Sequence, residues 1–431
     1  MKIKKISLNN YRLYDNLSIE FPECNVTVII GKNGAGKTAI LDALATCMSH
    51  ISGQMLSEND KYSIDSWFDK DDVKLGNEKG LINISVQDGL KAFSVKIEKK
   101  AFETGLSFDI QPETHLATYK PGSKVPIPLL LYLNVDRSSR VKVNRQNESS
   151  KTVDYSNKRQ AANFKGLTKD QYSTSDNIQW FIEQIRLENS EKVQKGDLKY
   201  KRPTLVAVRR ALETFNRYLN VGFDNIENVI ETIIYPDLRE EIIEHLAFKF
   251  GERVIKYNQL SSGERMVLSV IIDIARRLSI ANGHADISLE GNGIVLIDEL
   301  DLHLHPSWQL NIITALTKTF PNIQFIATTH SPLILSGVRR ECILAIEEGK
   351  IKPNEELPNI YSSSSDQILE DIMFSENKID EFTKEKKEID ILFNKMDFEG
   401  AEQKLKELKV KVGASPKWMK DYERRISFAK A

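Results

Sequence analysis

The sequence predicts an α/β fold in which helices flank a central β-sheet, and two separate motifs carry this expectation. Residues 26–30 form a nearly continuous apolar, β-branched run, which leads into the glycine-rich stretch GKNGAGKT and then into residues with helical spacing. Far along the chain, residues 293–297 (GIVLI) form a second continuous apolar run that ends in two acidic residues. Runs of this kind are typical of strands that are buried on both faces of a parallel sheet. With 431 residues, the chain has room for one to three domains.

The first motif, residues 31–38, has the composition of a phosphate-binding loop. Its glycines allow tight turns, so that successive backbone N–H groups can face an anion. The helix that follows adds the positive end of its dipole. Lys37 can bridge the β- and γ-phosphates of a nucleotide, and the Thr38 hydroxyl can ligate magnesium. Because strand, loop and helix follow one another in the required order, the sequence predicts a site for ATP and Mg2+.

Alternating apolar and polar residues predict strands on both sides of this loop. The alternation runs through residues 3–8 and 17–21 before the loop, and through residues 81–110 after it. A period of two places every second side chain on the same face of a strand. We expect residues 81–110 to form an antiparallel meander beside the phosphate-binding loop.

The segment between the two motifs predicts a short helical insert. Residues 126–133 favour another buried strand, and helical patterns follow over residues 177–192 and 203–219. No sustained heptad repeat appears between the motifs, which excludes long coiled-coil arms. Residues 137–159 contain seven Lys/Arg against two Asp/Glu. This basic stretch is either a mobile polar loop or a contact for phosphate or nucleic acid, with Arg137 as the first candidate for a fixed role.

The second cluster begins with a helix start that is rich in serine and glycine. Residues 258–279 contain the sequence LSSGE directly before a helix with an apolar face. The N–H groups of such a helix start can bind an anion. The same residues are also an ordinary helix cap, so Ser261, Ser262 and Gly263 become candidates only in combination with the residues that follow.

Two acidic residues and a histidine complete this cluster. Asp298, at the end of an apolar strand, can hold magnesium, and the adjacent Glu299 can polarise an attacking water. His330 ends another apolar stretch, QFIATTH. A single histidine in that position is usually structural. Here the histidine is one of four signals, with the glycine-rich loop, the LSSGE helix start and the acidic pair, and all four share the same order and polarity. Together they favour a nucleotide-hydrolysing site.

Over residues 1–350 these motifs resemble the ABC/SMC/RecF superfamily of ATPases. The resemblance implies an ABC/SMC-head-type P-loop ATPase with a mixed central sheet, an antiparallel β subdomain, a short helical insert and a C-terminal helical tail. It implies that Glu299 is the catalytic base, that His330 is the switch histidine near the γ-phosphate, and that Thr38 and Asp298 bind magnesium. The residues that it implies for binding ATP are Asn33, Gly34, Ala35, Gly36, Lys37, Thr38, Ser261, Ser262, Gly263 and Asp301.

The resemblance also implies a dimer of this chain with itself. In this superfamily the residues that correspond to Ser261 and Gly263 act on the nucleotide that the other protomer holds, so two ATP molecules lie between two heads. A two-fold, isologous arrangement follows. The superfamily also has a Q-loop glutamine, for which both Gln87 and Gln111 are possible.

These signals divide the chain into five parts. An N-terminal lobe with the phosphate-binding loop covers residues 1–135, and the basic stretch with the helical insert covers residues 136–257. A C-terminal lobe with the second cluster covers residues 258–350. Residues 351–365 are rich in Pro, Asn and Ser, which predicts a linker. The strongly charged residues 366–431 predict a helical tail whose thin apolar stripes need a surface to pack on, which is the head, a second copy or a partner protein.

Composition limits the environment of the chain. The formal net charge is -1, so any nucleic-acid contact must be a local patch. Three widely spaced cysteines, Cys24, Cys47 and Cys342, predict a reducing cytoplasm rather than a disulfide scaffold. The longest apolar run, near residues 127–133, is far shorter than the ~18 residues of a membrane span, and no secretory signal is expected at the start. We expect a cytoplasmic protein without a membrane contact.

The tail resembles that of the PtuA ATPases of Septu anti-phage systems, which also accompany some retrons. The similar stretches are SSSSDQILEDIMF and FNKMDFEGAEQKLKELKVKVGASPKW. This resemblance implies a partner, an HNH-type nuclease of the PtuB kind, and nucleic acid that is reached through the complex. No Toprim, HNH or PD-(D/E)xK pattern occurs in the sequence, so we expect no nuclease site in this chain. The alternative is a RecF-like repair or recombination ATPase that binds DNA in an ATP-dependent way.

Overall fold

The chain forms two compact units, Met1–Met373 and Phe374–Ala431. The computed structural model describes residues 1–55, 68–103, 106–120, 123, 125–134, 162–163, 167, 174–234, 240–282, 288–353, 357, 388–393, 395–412 and 417–430. The predicted basic stretch, residues 137–159 with Arg137, lies outside the described residues.

Strands and helices make up most of the described part of the chain. In chain order, the strands are β1 Lys2–Tyr11, β2 Tyr14–Glu20, β3 Val26–Gly31, β4 Lys79–Asp88, β5 Lys91–Lys100, β6 Leu106–Gln111, β7 Leu129–Leu133, β8 Asn225–Ile234, β9 Glu240–Phe250, β10 Arg253–Lys256, β11 Gly293–Ile297, β12 Ile323–Thr328, β13 Ile343–Glu347 and β14 Lys350–Lys352. The helices are α1 Lys37–Met55, α2 Thr174–Lys195, α3 Pro203–Leu219, α4 Ser262–Asn282, α5 Pro306–Gln309, α6 Ile312–Thr319, α7 Pro332–Leu335, α8 Phe398–Val412 and α9 Lys417–Lys430.

A five-stranded antiparallel sheet in the order β2-β1-β4-β5-β6 forms one layer of the larger unit. Buried and less buried residues alternate along β4 and β5, because one face of the sheet packs on a core. The predicted meander over residues 81–110 is therefore confirmed. The N-terminal hairpin extends the same sheet in register, with Ile6 opposite Ile19 on one side and Ile84 on the other.

The central sheet is mixed, as predicted, and has the order β14-β13-β3-β12-β11-β7. Five of its strands are parallel, and β14 runs antiparallel to β13. Neighbouring residues of one strand face different cores: Ile294 packs with residues of α1, while Val295 packs with residues of α3, α4 and α6. Because both faces are covered, these strands can be apolar at every position, which explains the continuous runs in the sequence.

The insert contains the two predicted helices and a β-hairpin that was not predicted. Helix α3 has the predicted bounds, and α2 covers residues 174–195 rather than 177–192. Glu188 on α2 is almost fully buried and accepts hydrogen bonds from Arg209 on α3 at 3.0 Å. After α3 the chain forms a three-stranded antiparallel sheet in the order β10-β9-β8. Four of the five apolar residues of β8 occur in adjacent pairs, at 229–230 and 233–234, so the strand lacks the alternation that would have predicted it.

The cysteines correct one expectation. Cys24 and Cys342 form a disulfide with their Cα atoms 6.0 Å apart, and Cys47 is free and buried. Cys24 precedes β3 and Cys342 precedes β13, and the parallel pairing of these two strands brings the residues together. The cysteines were predicted to indicate a reducing cytoplasm rather than a disulfide scaffold. The disulfide runs against that prediction, so the cysteines give no support to a reducing compartment.

The smaller unit has a core of its own. Residues 388–393, α8 and α9 are helical. Their apolar residues pack on one another, with Ile389, Leu405 and Ile426 nearly inaccessible to solvent. The thin apolar stripes predicted for the tail therefore pack, at least in part, on other residues of the tail. In the part of the chain that the structure describes, no helix has the length and apolarity needed to span a membrane.

Candidate active site

The glycine-rich loop lies between the carboxyl end of β3 and the start of α1. Gly34 and Gly36 have φ values of +80° and +92°, in the region that favours glycine. A Cβ atom on Gly36 would lie 2.4 Å from the Tyr14 hydroxyl oxygen and 2.5 Å from a methyl carbon of Leu13. The same Tyr14 hydroxyl donates a hydrogen bond to the Ala35 carbonyl oxygen at 3.0 Å. The β1–β2 turn thus packs directly on the loop backbone, and only glycine fits at position 36.

Lys37 is buried within the loop that it belongs to. Its ammonium donates hydrogen bonds to the carbonyl oxygens of Gly31 and Lys32, at 2.9 and 3.1 Å. Burial lowers the pKa of Lys37, and the nearby negative charge of Asp298, followed by that of Glu299, opposes this shift. The lysine is therefore a buried cation beside the acidic residues that follow β11.

Thr38 and Asp298 form the contact that joins the two sequence motifs. The Thr38 hydroxyl lies 3.0 Å from one carboxylate oxygen of Asp298 and 3.3 Å from the other. The Thr328 hydroxyl donates to the same carboxylate at 2.5 Å, and the Asp298 N–H donates to the Leu133 carbonyl oxygen at 2.9 Å. Hydroxyl and carboxylate oxygens are the ligands that Mg2+ prefers, so Thr38 and Asp298 fit a magnesium site.

Glu299 follows in an unusual backbone conformation. Its φ of +49° is uncommon for a residue with a side chain, and such outliers concentrate at functional sites. The Glu299 N–H donates to the Thr328 hydroxyl oxygen at 2.8 Å, and the next N–H, that of Leu300, donates to the Thr328 carbonyl oxygen at 2.8 Å. Two backbone bonds to one threonine therefore hold the turn in which Glu299 lies.

Asp301 connects the turn after β11 to the segment after β12. One of its carboxylate oxygens accepts hydrogen bonds from the Thr329 hydroxyl at 2.6 Å and from the His330 N–H at 3.1 Å. Burial lowers the pKa of His330, the positive charge of Lys37 lowers it further, and the carboxylate of Asp301 acts in the opposite direction. The imidazole is therefore neutral at neutral pH.

These groups share one edge of the central sheet, since the strands that carry them are parallel and end on the same side. The edge combines a loop of backbone N–H groups, a buried ammonium, a hydroxyl–carboxylate pair, a second carboxylate and a neutral imidazole. Such a set can bind a triphosphate together with a divalent cation and can orient a water molecule.

The serine- and glycine-rich helix start has a different environment. Ser261 and Glu264 form a capping box: the Ser261 N–H donates to the Glu264 carboxylate at 2.7 Å, and the Glu264 N–H donates to the Ser261 hydroxyl at 3.2 Å. A Cβ on Gly263 would lie 2.4 Å from the His303 carbonyl oxygen, so the helix start packs tightly on the turn after Asp301. Ser261 and Ser262 are exposed. Among the described residues, no hydrogen bond of Ser261 reaches the glycine-rich loop.

Both Q-loop candidates are engaged elsewhere. The Gln87 amide donates to the Gly89 carbonyl oxygen at 2.7 Å, and the Gln111 amide donates to the Asp109 carboxylate at 2.7 Å. These bonds favour neither residue, and the choice stays open.

Two functional contacts were missed in the sequence. Thr328 bonds to the Asp298 carboxylate and to the Glu299 N–H, and it directly precedes Thr329 and His330 at the end of an apolar strand. Its position at the end of an apolar strand could have identified Thr328 in the sequence, because the acidic residues also follow a strand that ends at this edge of the sheet. Gln309 accepts from the Ser331 hydroxyl at 2.5 Å and donates to the Leu304 carbonyl oxygen at 2.9 Å, a contact that no local pattern indicates.

Known proteins with a similar sequence include a retron ATPase and a Septu protein. The "Retron Vc95 probable ATPase" of Vibrio cholerae serotype O1 biovar El Tor is 30% identical over 387 residues, which cover 81% of this chain and 74% of the relative. The "Septu protein PtuA" of Bacillus thuringiensis is 24% identical over 384 residues, which cover 86% of this chain and 84% of the relative. Among solved structures, an SMC head bound to the C-winged helix domain of ScpA is similar with a TM-score of 0.47 at 14% identity, covering 82% of this chain and 96% of that chain.

A family match covers the glycine-rich loop, the acidic residues after β11 and His330 together. The AAA ATPase domain matches residues 1–335, well over half of the sequence. The chain therefore belongs to the AAA ATPase domain family.

Proposed function

We propose that this chain binds ATP with Mg2+, dimerises around the nucleotide and hydrolyses it, as the ATPase subunit of a bacterial anti-phage defence complex. The contact of Thr38 with Asp298, beside the buried Lys37, carries the ATPase part of this proposal. This contact supports the proposal because two oxygens that could ligate magnesium and one cation that could bind the phosphates lie together at the glycine-rich loop. Bound magnesium would neutralise phosphate charge and polarise the phosphoryl oxygens.

The residues of the chain then divide the remaining work. Lys37 neutralises the charge that develops on the phosphates, and Glu299 orients the attacking water and accepts its proton. In this proposal His330 lies beside the γ-phosphate, to which its imidazole can donate a hydrogen bond. Most of the rate enhancement comes from positioning and electrostatics rather than from covalent chemistry.

The second half of each site comes from a second copy of the chain. Ser261 and Ser262 are exposed at the start of α4. The capping box occupies the N–H groups of Ser261 and Glu264. We propose that phosphate meets the positive end of the helix dipole and the remaining N–H groups of the first turn. We propose that this surface contacts the nucleotide held by the other protomer. The resulting dimer is isologous, with two identical composite sites.

The similarity to the Septu and retron ATPases supports the biological role. We propose that the chain controls a separate HNH-type nuclease of the PtuB kind in the cytoplasm, that it has no nuclease site of its own, and that it reaches nucleic acid through this partner. The smaller unit, with its own core, is the proposed docking site.

Removing the smaller unit tests the partner. Deleting residues 374–431 is expected to abolish co-purification of the proposed PtuB-like nuclease and to leave the ATP-hydrolysis rate per head within about two-fold, because the larger unit keeps its own cores. Co-expression, pull-down and a nuclease assay with and without ATP provide the measurements. Unchanged co-purification would contradict the docking role. Strong ATP- and salt-dependent DNA binding by the chain alone would favour a RecF-like repair function instead.

A further inference from the structure

A buried carboxylate outside the motifs lies one helical turn after Thr38. Asp42 on α1 is 6% exposed, and both of its oxygens have partners. One oxygen accepts from the Tyr132 hydroxyl at 2.9 Å, and the other accepts from the Arg12 guanidinium at 2.7 Å. Arg12 is itself fixed, since its Nε donates to the Asp72 carboxylate at 2.7 Å. Asp42 therefore joins three elements: α1, β7 and the β1–β2 turn.

The position of Tyr132 links this contact to the proposed magnesium ligands. Strands β7 and β11 pair in parallel register, with Tyr132 opposite Leu296. The residue after Tyr132, Leu133, accepts the Asp298 N–H at 2.9 Å. Thr38 and Asp42 are four residues apart on α1 and thus lie on one face of the helix. The Asp42–Tyr132 and Thr38–Asp298 contacts therefore bridge the same gap between α1 and the sheet, one turn apart.

The charge of Asp42 depends on its partners. Burial raises the pKa of Asp42, and the charge of Arg12, together with the hydrogen bonds from Arg12 and Tyr132, opposes this shift. A buried carboxylate that loses one of its partners is destabilised, and the structure relaxes to find another. Such a relaxation would move the start of α1, and a misplacement of about 1 Å is enough to weaken a site assembled from separate elements.

We propose that Asp42, held by Tyr132 and Arg12, is a positioning residue that sets the separation of Thr38 and Asp298 and thereby the affinity for Mg2+ with ATP. Asp42 itself binds neither the metal nor the nucleotide. The inference rests on the proposed ATPase function. It predicts that loss of a partner of Asp42 weakens magnesium binding by more free energy than it takes from the stability of the fold.

The test compares two substitutions that each remove a single phenolic hydroxyl. Tyr132→Phe removes the bond to Asp42. Tyr119→Phe is the matched control, because the Tyr119 hydroxyl also donates to a buried aspartate, Asp88, elsewhere in the same unit. Equilibrium binding of a fluorescent ATP analogue is measured against Mg2+ concentration, alongside thermal unfolding without nucleotide. For Tyr132→Phe we expect the half-saturating Mg2+ concentration to rise roughly five-fold, the factor expected when about one hydrogen bond is lost. The control should stay at the parental value.

Two further measurements keep the outcomes distinct. Asp42→Asn, which keeps the shape of the side chain and removes its charge, should raise the half-saturating Mg2+ concentration at least as much as Tyr132→Phe. Equal Mg2+ binding curves for the Tyr132 and Tyr119 variants would overturn the positioning role. So would a rise in the half-saturating Mg2+ concentration of Tyr132→Phe that is fully explained by partial unfolding of that variant, as its lower unfolding temperature would show. A parental chain that binds the nucleotide with Mg2+ and does not hydrolyse ATP would contradict the proposed function, and the binding curves would still decide the role of Asp42.

Discussion

Replacing Lys37 with alanine is expected to weaken ATP binding by roughly 30-fold or more. The ammonium is buried in the glycine-rich loop, where it bonds to the carbonyl oxygens of Gly31 and Lys32. Its loss leaves phosphate charge in a partly desolvated loop without the cation that neutralises it. Truncating one partner of such a buried charge pair costs about 2–5 kcal/mol, which corresponds to a loss of affinity of roughly 30-fold to several thousand-fold. Isothermal titration with ATP and Mg2+ measures the effect.

A second buried lysine provides the control for this substitution. Lys99 on β5 is 3% exposed and lies in the antiparallel sheet rather than in the loop. Lys99→Ala should bind ATP with parental affinity, even where it lowers the unfolding temperature. If Lys37→Ala binds ATP as tightly as the parental chain, the loop does not hold the phosphates in the proposed way.

Replacing Glu299 with glutamine is expected to stop turnover while leaving ATP binding intact. Glutamine keeps the size of the side chain and the backbone turn, in which the Glu299 N–H donates to Thr328. It removes the carboxylate that we propose accepts the proton of the attacking water. General-base catalysis contributes about 10²–10⁴-fold, so kcat should fall by roughly that factor. Phosphate release measures turnover, and light scattering with ATP should show the trapped dimer.

The control for this substitution lies at the other end of the same strand. Glu290 precedes β11, as Glu299 follows it, and its side chain is exposed. Glu290→Gln should hydrolyse ATP at the parental rate. Parental turnover by Glu299→Gln would show that another group activates the water.

The sequence predicted those features whose signals are local. Helix α3 begins with Pro203 and ends at Leu219, and the next residue, Asn220, has the left-handed conformation that stops helices. Proline at a helix start and asparagine after its end are local signals, so the bounds were predictable to the residue. The apolar run of β11 and the two acids after it also lie within a few residues of one another. Thr38 and Asp298 could be paired across 260 residues because each follows a strand in a recognisable motif.

The features that sequence reasoning missed depend on tertiary contacts. Cys24 and Cys342 are 318 residues apart and meet only because β3 and β13 are neighbours in the sheet. The partners of Asp42 come from a turn and from an edge strand, and neither residue belongs to a motif. In β8, pairs of adjacent apolar residues replace the alternation of apolar and polar residues that is typical of a strand. For the disulfide and for Asp42, the missing information was which elements become neighbours, and a single sequence does not contain that information locally.

We propose that each ATP site is completed by a second copy of the chain, and a mixing experiment tests this proposal most directly. One variant is Lys37→Ala, which damages the loop and keeps the serine-rich helix start. The other is Ser262→Glu, which keeps the loop and places a negative charge where the phosphates of the other protomer would lie. Glutamate at the first residue of α4 is compatible with the helix dipole, so the helix should form.

Each variant alone should be inactive, because every composite site then contains one damaged half. In an equal mixture about half of the dimers combine the two variants, and each of these has one intact site, which gives about one quarter of the parental ATP-hydrolysis rate. That recovery is the predicted result. A mixture that is no more active than the two variants measured separately would contradict the shared site.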